Sequence, residues 1–69
     1  MKARAYSKKE LALAYLPDIC TDSAVNRLMC WIKHNSELSG ELKKTGYSRW
    51  QKMFTARQVA LIFHYLGEP

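Results

Sequence analysis

Arg49 and Lys52 flank Trp50 in the stretch SRWQKM, and Ser23, Asn26 and Arg27 stand together in TDSAVNRL, with Lys33 two turns further on. Guanidinium and ammonium groups neutralise phosphates, and serine, asparagine and arginine carry the donor and acceptor patterns that read base edges. These six residues are the candidates for nucleic-acid chemistry. A second set is Cys30 with His34, one helical turn apart as metal ligands can be, with Cys20 and His64 elsewhere in the chain. No second close pair accompanies the first, so two reduced thiols and two surface imidazoles are the simpler reading, and no metal is expected. A glycine-rich phosphate loop and a paired set of acids are both missing, and 69 residues are too few to enclose a sizeable pocket. An enzyme is therefore not expected, nor a cofactor or a small-molecule substrate.

Eleven Lys and Arg against six Asp and Glu give a net charge of +5, and the pI is near 9.5. That excess favours polyanionic partners through counterion release, provided the charges share a face. A merely solvating surface is the alternative. With 48% hydrophobic residues the chain has the composition of one small folded domain. It has no apolar run of membrane-spanning length and no signal-peptide pattern, so a cytoplasmic protein without a membrane partner is expected.

The elements that must position these residues are marked by one phrase used twice. YSKKEL from Tyr6 and FTARQV from Phe54 each run aromatic, hydroxyl, variable, base, Glu or Gln, aliphatic. Ser7 with Glu10, and Thr55 with Gln58, fit the capping box that satisfies free amides at a helix start. Tyr6 with Leu11 and Phe54 with Val59 have the spacing of a hydrophobic staple. The phrase is structural, and the chemistry must lie between its copies.

The first predicted helix runs from Lys8 to Tyr15 or Leu16 with Leu11, Ala12, Tyr15 and Leu16 inward, and Pro17 stops it. Ile19 plugs the connector. A second helix spans Asp22 to His34, capped by Thr21 or Asp22, with Ala24, Val25, Leu28, Trp31 and Ile32 as its apolar stripe. A third covers Glu37 to Lys44 on Leu38 and Leu42, ending at a left-handed Gly46. The alternation of Tyr47 to Phe54 predicts an extended ribbon, with KARAY near the N-terminus as the candidate pairing strand. The last helix, Ala56 to Leu66, turns Val59, Ile62, Phe63 and Leu66 inward and stops at Gly67. Leu61 and Tyr65 lie off that stripe and, with Trp31 or Trp50, can form an exposed apolar patch unless the third helix covers them.

YSKKELALAYLPDI, LMCWIKHNSEL, LKKTGY and FTARQVALIFHYLGEP together resemble a family of short bacterial proteins designated domain of unknown function 4248. That resemblance spans nearly the whole chain and implies a shared design, with no activity to carry over. More distantly, the order of helix, turn, helix, GYSRW and FTARQVALI is similar to DNA-binding domains of the MerR and excisionase type. The matching positions are Ser7, Glu10, Leu11, Ala12, Gly46, Tyr47, Thr55, Val59 and Ile62, all of them scaffold. Asn26, Arg27, Arg49 and Lys52 match by location and charge, while the acid in CTDSAVNRL departs from the pattern.

The reading that follows is a mostly α, single winged helix-turn-helix-like domain over residues 1–69, with three to four helices and a short β ribbon. Its expected role is that of a small regulatory or accessory factor binding double-stranded DNA, with a second copy of the chain or another protein as the further expected partner. Arg49, Lys52, Lys33, Lys2 and Arg4 would dock on phosphates, with Ser23, Asn26 and Arg27 toward the bases. A protein-interaction module using Leu61 and Tyr65 is the first alternative, and RNA binding through exposed aromatics the second.

Overall fold

The computed structural model describes residues 2–69. Its elements in order are β1 (Tyr6–Ser7), α1 (Lys8–Tyr15), α2 (Thr21–His34), α3 (Ser36–Lys44), β2 (Met53–Phe54) and α4 (Ala56–Leu66). The domain is thus mostly helical, with a two-stranded antiparallel sheet in which Tyr6 faces Phe54 and Ser7 faces Met53.

Both capping boxes form. The Glu10 amide donates to Ser7 Oγ at 3.0 Å while the Ser7 amide donates to Glu10 Oε1 at 3.1 Å. The backbone bond from Ser7, followed by its hydroxyl, holds the Glu10 carboxyl below its ordinary value. At α4 the Gln58 amide donates to Thr55 Oγ1 at 3.2 Å, and the Thr55 amide to Gln58 Oε1 at 3.0 Å. The staple residues Tyr6, Leu11, Phe54 and Val59 are all buried. Because Tyr6 and Phe54 are cross-strand partners, the two copies of the phrase lie antiparallel, and α1 and α4 leave a common bridge through the same cap chemistry.

Each helix buries one stripe: Leu11 and Ala12 from α1, Ala24, Leu28 and Ile32 from α2, Leu38 and Leu42 from α3, Val59 and Ile62 from α4. The small, fully buried Ala12 and Ala24 suit the close approach of α1 and α2, whose connector places Ile19 against the core. A single residue, Asn35, separates α2 from α3. Its Oδ1 accepts from the Leu38 amide at 3.0 Å, and Ser39 Oγ donates to the Ile32 carbonyl at 2.7 Å, which closes the corner. The third helix ends in a Schellman arrangement: Gly46, at φ 83°, donates to the Lys43 carbonyl, and Tyr47 donates to that of Leu42.

The structure corrects several details. Cys20, not Thr21 or Asp22, occupies the N-cap of α2, and it makes no side-chain cap bond. Cys20 Sγ instead lies 3.2 Å from Ser23 Oγ, whose hydroxyl and then amide hold the thiol below its ordinary value. In the predicted stripe of α2, Val25 is half-buried and Trp31 is exposed, its ring meeting Tyr15 edge-on at 6.2 Å. The ribbon predicted over Tyr47 to Phe54 is extended and paired only at Met53–Phe54, because the Gln51 amide bonds the Ser48 carbonyl at 3.0 Å and folds the middle into a turn. Pairing with the N-terminal segment does occur, at Tyr6 and Ser7. Tyr15, Leu16, Phe63 and Leu66 are half-buried around the core rather than within it.

Tyr15 gives the fold a measurable pH response. Its hydroxyl donates to the Gly67 carbonyl, and burial, with a lesser effect from the Glu68 carboxylate, pushes its pKa up to about 12. A phenol that stays neutral in the folded chain after it ionises in the unfolded one adds stability below about pH 10 and loses it as pH rises toward 12. Denaturant titrations across this window should show the wild type declining more steeply than Tyr15→Phe. Parallel declines would mean that Tyr15 titrates alike in both states.

Candidate nucleic-acid interface

One open groove brings together three separate segments. Its walls are the start of α1, the first two turns of α2 and the loop that leads into β2, and its volume is about 790 Å³. Lys8 and Lys9 come from the first, Asp22, Val25 and Asn26 from the second, and Arg49 to Met53 from the third. Four cationic residues and one carboxylate therefore line it.

The pairing of the two capping phrases accounts for this gathering. As β1 runs into α1, the Lys8 amide donates to the Lys52 carbonyl at 3.0 Å, extending the bridge by one bond. The Lys8 side chain then crosses to the loop, where Nζ donates to the Arg49 carbonyl at 2.9 Å and lies 5.2 Å from the Tyr47 ring centroid. Below, Tyr47 stacks on Phe54 with centroids 5.6 Å apart, and its hydroxyl approaches Met29 Sδ at 3.9 Å. The loop is thereby fastened to the core at its entry and exit.

Gln58 fastens its middle. This side chain is 2% exposed, the one polar side chain in the buried core among the described residues. Its Oε1 accepts from Gln51 Nε2 at 2.6 Å as well as from the Thr55 amide, and its Nε2 donates to Thr45 Oγ1 at 2.9 Å. Thr45 Oγ1 in turn donates to the Leu42 carbonyl at 2.6 Å. One amide so connects the end of α3, the loop and the start of α4, and among the described residues no buried side-chain polar atom lacks a partner.

Of the six predicted contact residues, Asn26, Arg49 and Lys52 line the groove. Ser23 and Arg27 are exposed on the neighbouring edge of α2, one helical turn apart, and Lys33 is exposed near the far end of that helix. Lys2 and Arg4 are exposed before β1, with the Arg4 guanidinium 4.0 Å above the Tyr6 ring and the Tyr6 hydroxyl donating to the Lys2 carbonyl. The sequence alone does not mark Lys8, Lys9 or Gln51 for this groove, and it marks Gln58 only as a cap. The first two are legible once the phrases are aligned antiparallel, since that alignment sets Lys8 beside Lys52.

The other candidate chemistry stays dispersed. Cys30 Sγ lies 3.4 Å from His34 Nδ1, and among the described residues no group of three or more His, Cys, Asp or Glu side chains is placed to hold a metal ion. Leu61 and Tyr65 are half-buried and pack against the core. Among the described residues no helix is long and apolar enough to cross a membrane.

No curated protein and no solved structure matches the chain. A similarity to MerR and excisionase domains is therefore not shown. A family model does match, over residues 2–69, and the chain belongs to that family, described as Domain of unknown function (DUF4248).

Proposed function

We propose that this domain binds double-stranded DNA, with the exposed edge of α2 facing the major groove and the Ser48–Lys52 loop serving as a wing on the flanking backbone. The observation that carries this reading is the convergence of Lys8, Lys9, Arg49 and Lys52, from two distant parts of the sequence, beside Asn26 on one groove. Phosphate contacts of this kind set register and affinity, and polar side chains on the adjoining helix are where base reading would occur. Asp22 opposes phosphate approach at the helix start, so the backbone contacts belong to the α1 and loop walls.

The test is a fluorescence-anisotropy titration against random duplex, single-stranded DNA and RNA at about 50 and about 200 mM salt. Preferential duplex binding that weakens steeply with salt supports the proposal. Absence of binding to all three at the lower salt overturns it, and preference for a single strand with tryptophan quenching moves the reading to RNA or single-stranded DNA.

Arg27 provides a test of base reading. If it contacts guanine, Arg27→Ala should cost about 1–3 kcal/mol on preferred sites and relax the preference there. Selection from a random-sequence duplex pool with each protein measures this. Equal loss on all sequences would make Arg27 a phosphate contact.

A further inference from the structure

Trp50 is 78% exposed, the most exposed large apolar side chain among the described residues. Its position is not that of a side chain on a loose loop. The Trp50 amide donates to Ser48 Oγ at 3.3 Å, the Arg49 carbonyl is held by Lys8, the Lys52 carbonyl by the Lys8 amide, and Gln51 by Gln58. The Arg49 guanidinium lies 4.7 Å from the ring centroid. A large aromatic surface is thus projected into water from a braced turn, among the cations that line the groove.

We infer that Trp50 is a wedge that enters the minor groove next to the α2 site and stacks on a partly unstacked base step of duplex DNA. This inference rests on the DNA-binding reading above. Duplex DNA matches the pattern in both respects, because it offers phosphates to the surrounding cations and, where a base step is partly unstacked, an aromatic face to the ring. With α2 in the major groove, the loop wall of the same protein groove lies over the backbone that separates it from the adjacent minor groove. The fixed turn matters energetically, since a backbone that is already ordered loses less freedom on insertion than a loose loop would. Arg49 accompanies the ring as a cation close to the backbone.

The experiment compares wild type, Trp50→Ala and Trp50→Phe on two short duplexes identical except for one mismatched base pair, which lowers the work of unstacking. Wild type should bind the mismatched duplex several-fold more tightly than the paired one. Trp50→Ala should bind the paired duplex about tenfold more weakly, lose the preference for the mismatch, and keep the wild-type salt slope, because a neutral ring releases no counterions. Trp50→Phe should retain most of the affinity. In a Trp31→Phe background, where Trp50 is the remaining tryptophan, its emission should be quenched by duplex. Wild-type affinity in Trp50→Ala, or a mismatch preference that survives the substitution, overturns the wedge and leaves DNA binding intact. Wild type that binds neither duplex at low salt overturns the DNA-binding reading, and the wedge with it.

Discussion

Phe54→Ala is expected to leave the domain only marginally stable, with a loss of about 3–5 kcal/mol. Phe54 is fully buried, stacks on Tyr47 and faces Tyr6 across the bridge, so its ring joins α4, the loop and the N-terminal strand at one point. Small domains bury proportionally less surface, and a stability of about 5 kcal/mol would be nearly consumed by this one cavity. Phe54→Leu, which keeps much of the volume, should cost less. Met53→Ala should cost little, because that side chain is half exposed although its backbone pairs with Ser7. Urea titrations followed by circular dichroism measure all three. If Phe54→Ala unfolds within about 1 kcal/mol of wild type, the bridge is not where the core is closed.

The second large effect concerns binding. Arg49→Ala combined with Lys52→Ala should lower the salt slope of duplex binding by about 1.8, the share of two phosphate contacts, and weaken affinity roughly a hundredfold at about 50 mM salt. The fold should tolerate both changes, since Lys8 holds these two residues by their backbone carbonyls, which alanine retains. Lys43→Ala with Lys44→Ala is the matched control. It removes the same charge from the end of α3, outside the groove walls, and should leave the slope nearly unchanged. An unchanged slope in the Arg49 and Lys52 double variant would remove the loop from the interface.

Much of this fold is legible in the sequence because its signals are local. Ser7 with Glu10, Thr55 with Gln58, Pro17 and Gly46 each act within one turn, and the helix boundaries fall within a residue or two of where they point. What is less legible depends on contacts between distant residues. Alternation from Tyr47 to Phe54 reads as strand, yet only Met53 and Phe54 find a partner, because β1 offers two residues and Ser48 turns the chain back. Gln58 looks like a cap and nothing more, since its bonds to Gln51 and Thr45 exist only in the assembled structure. Arg49 and Lys52 could be singled out by charge beside an aromatic, whereas Lys8 and Lys9 look like ordinary first-turn residues until the bridge brings them across.

The Tyr6–Phe54 bridge also sets a sequence of events. During synthesis β1 emerges early and its partner late, and an unpaired two-residue strand with one short helix cannot stand alone. Local corners such as that at Asn35 can form while the ribosome is still working, but the basic groove cannot, because one of its walls waits for residues 49–53 and their brace at Gln58. Closing so large a loop is among the slow, entropically costly contacts of the chain. A nascent polypeptide released or cleaved before α4 therefore carries its cations scattered until the last helix docks.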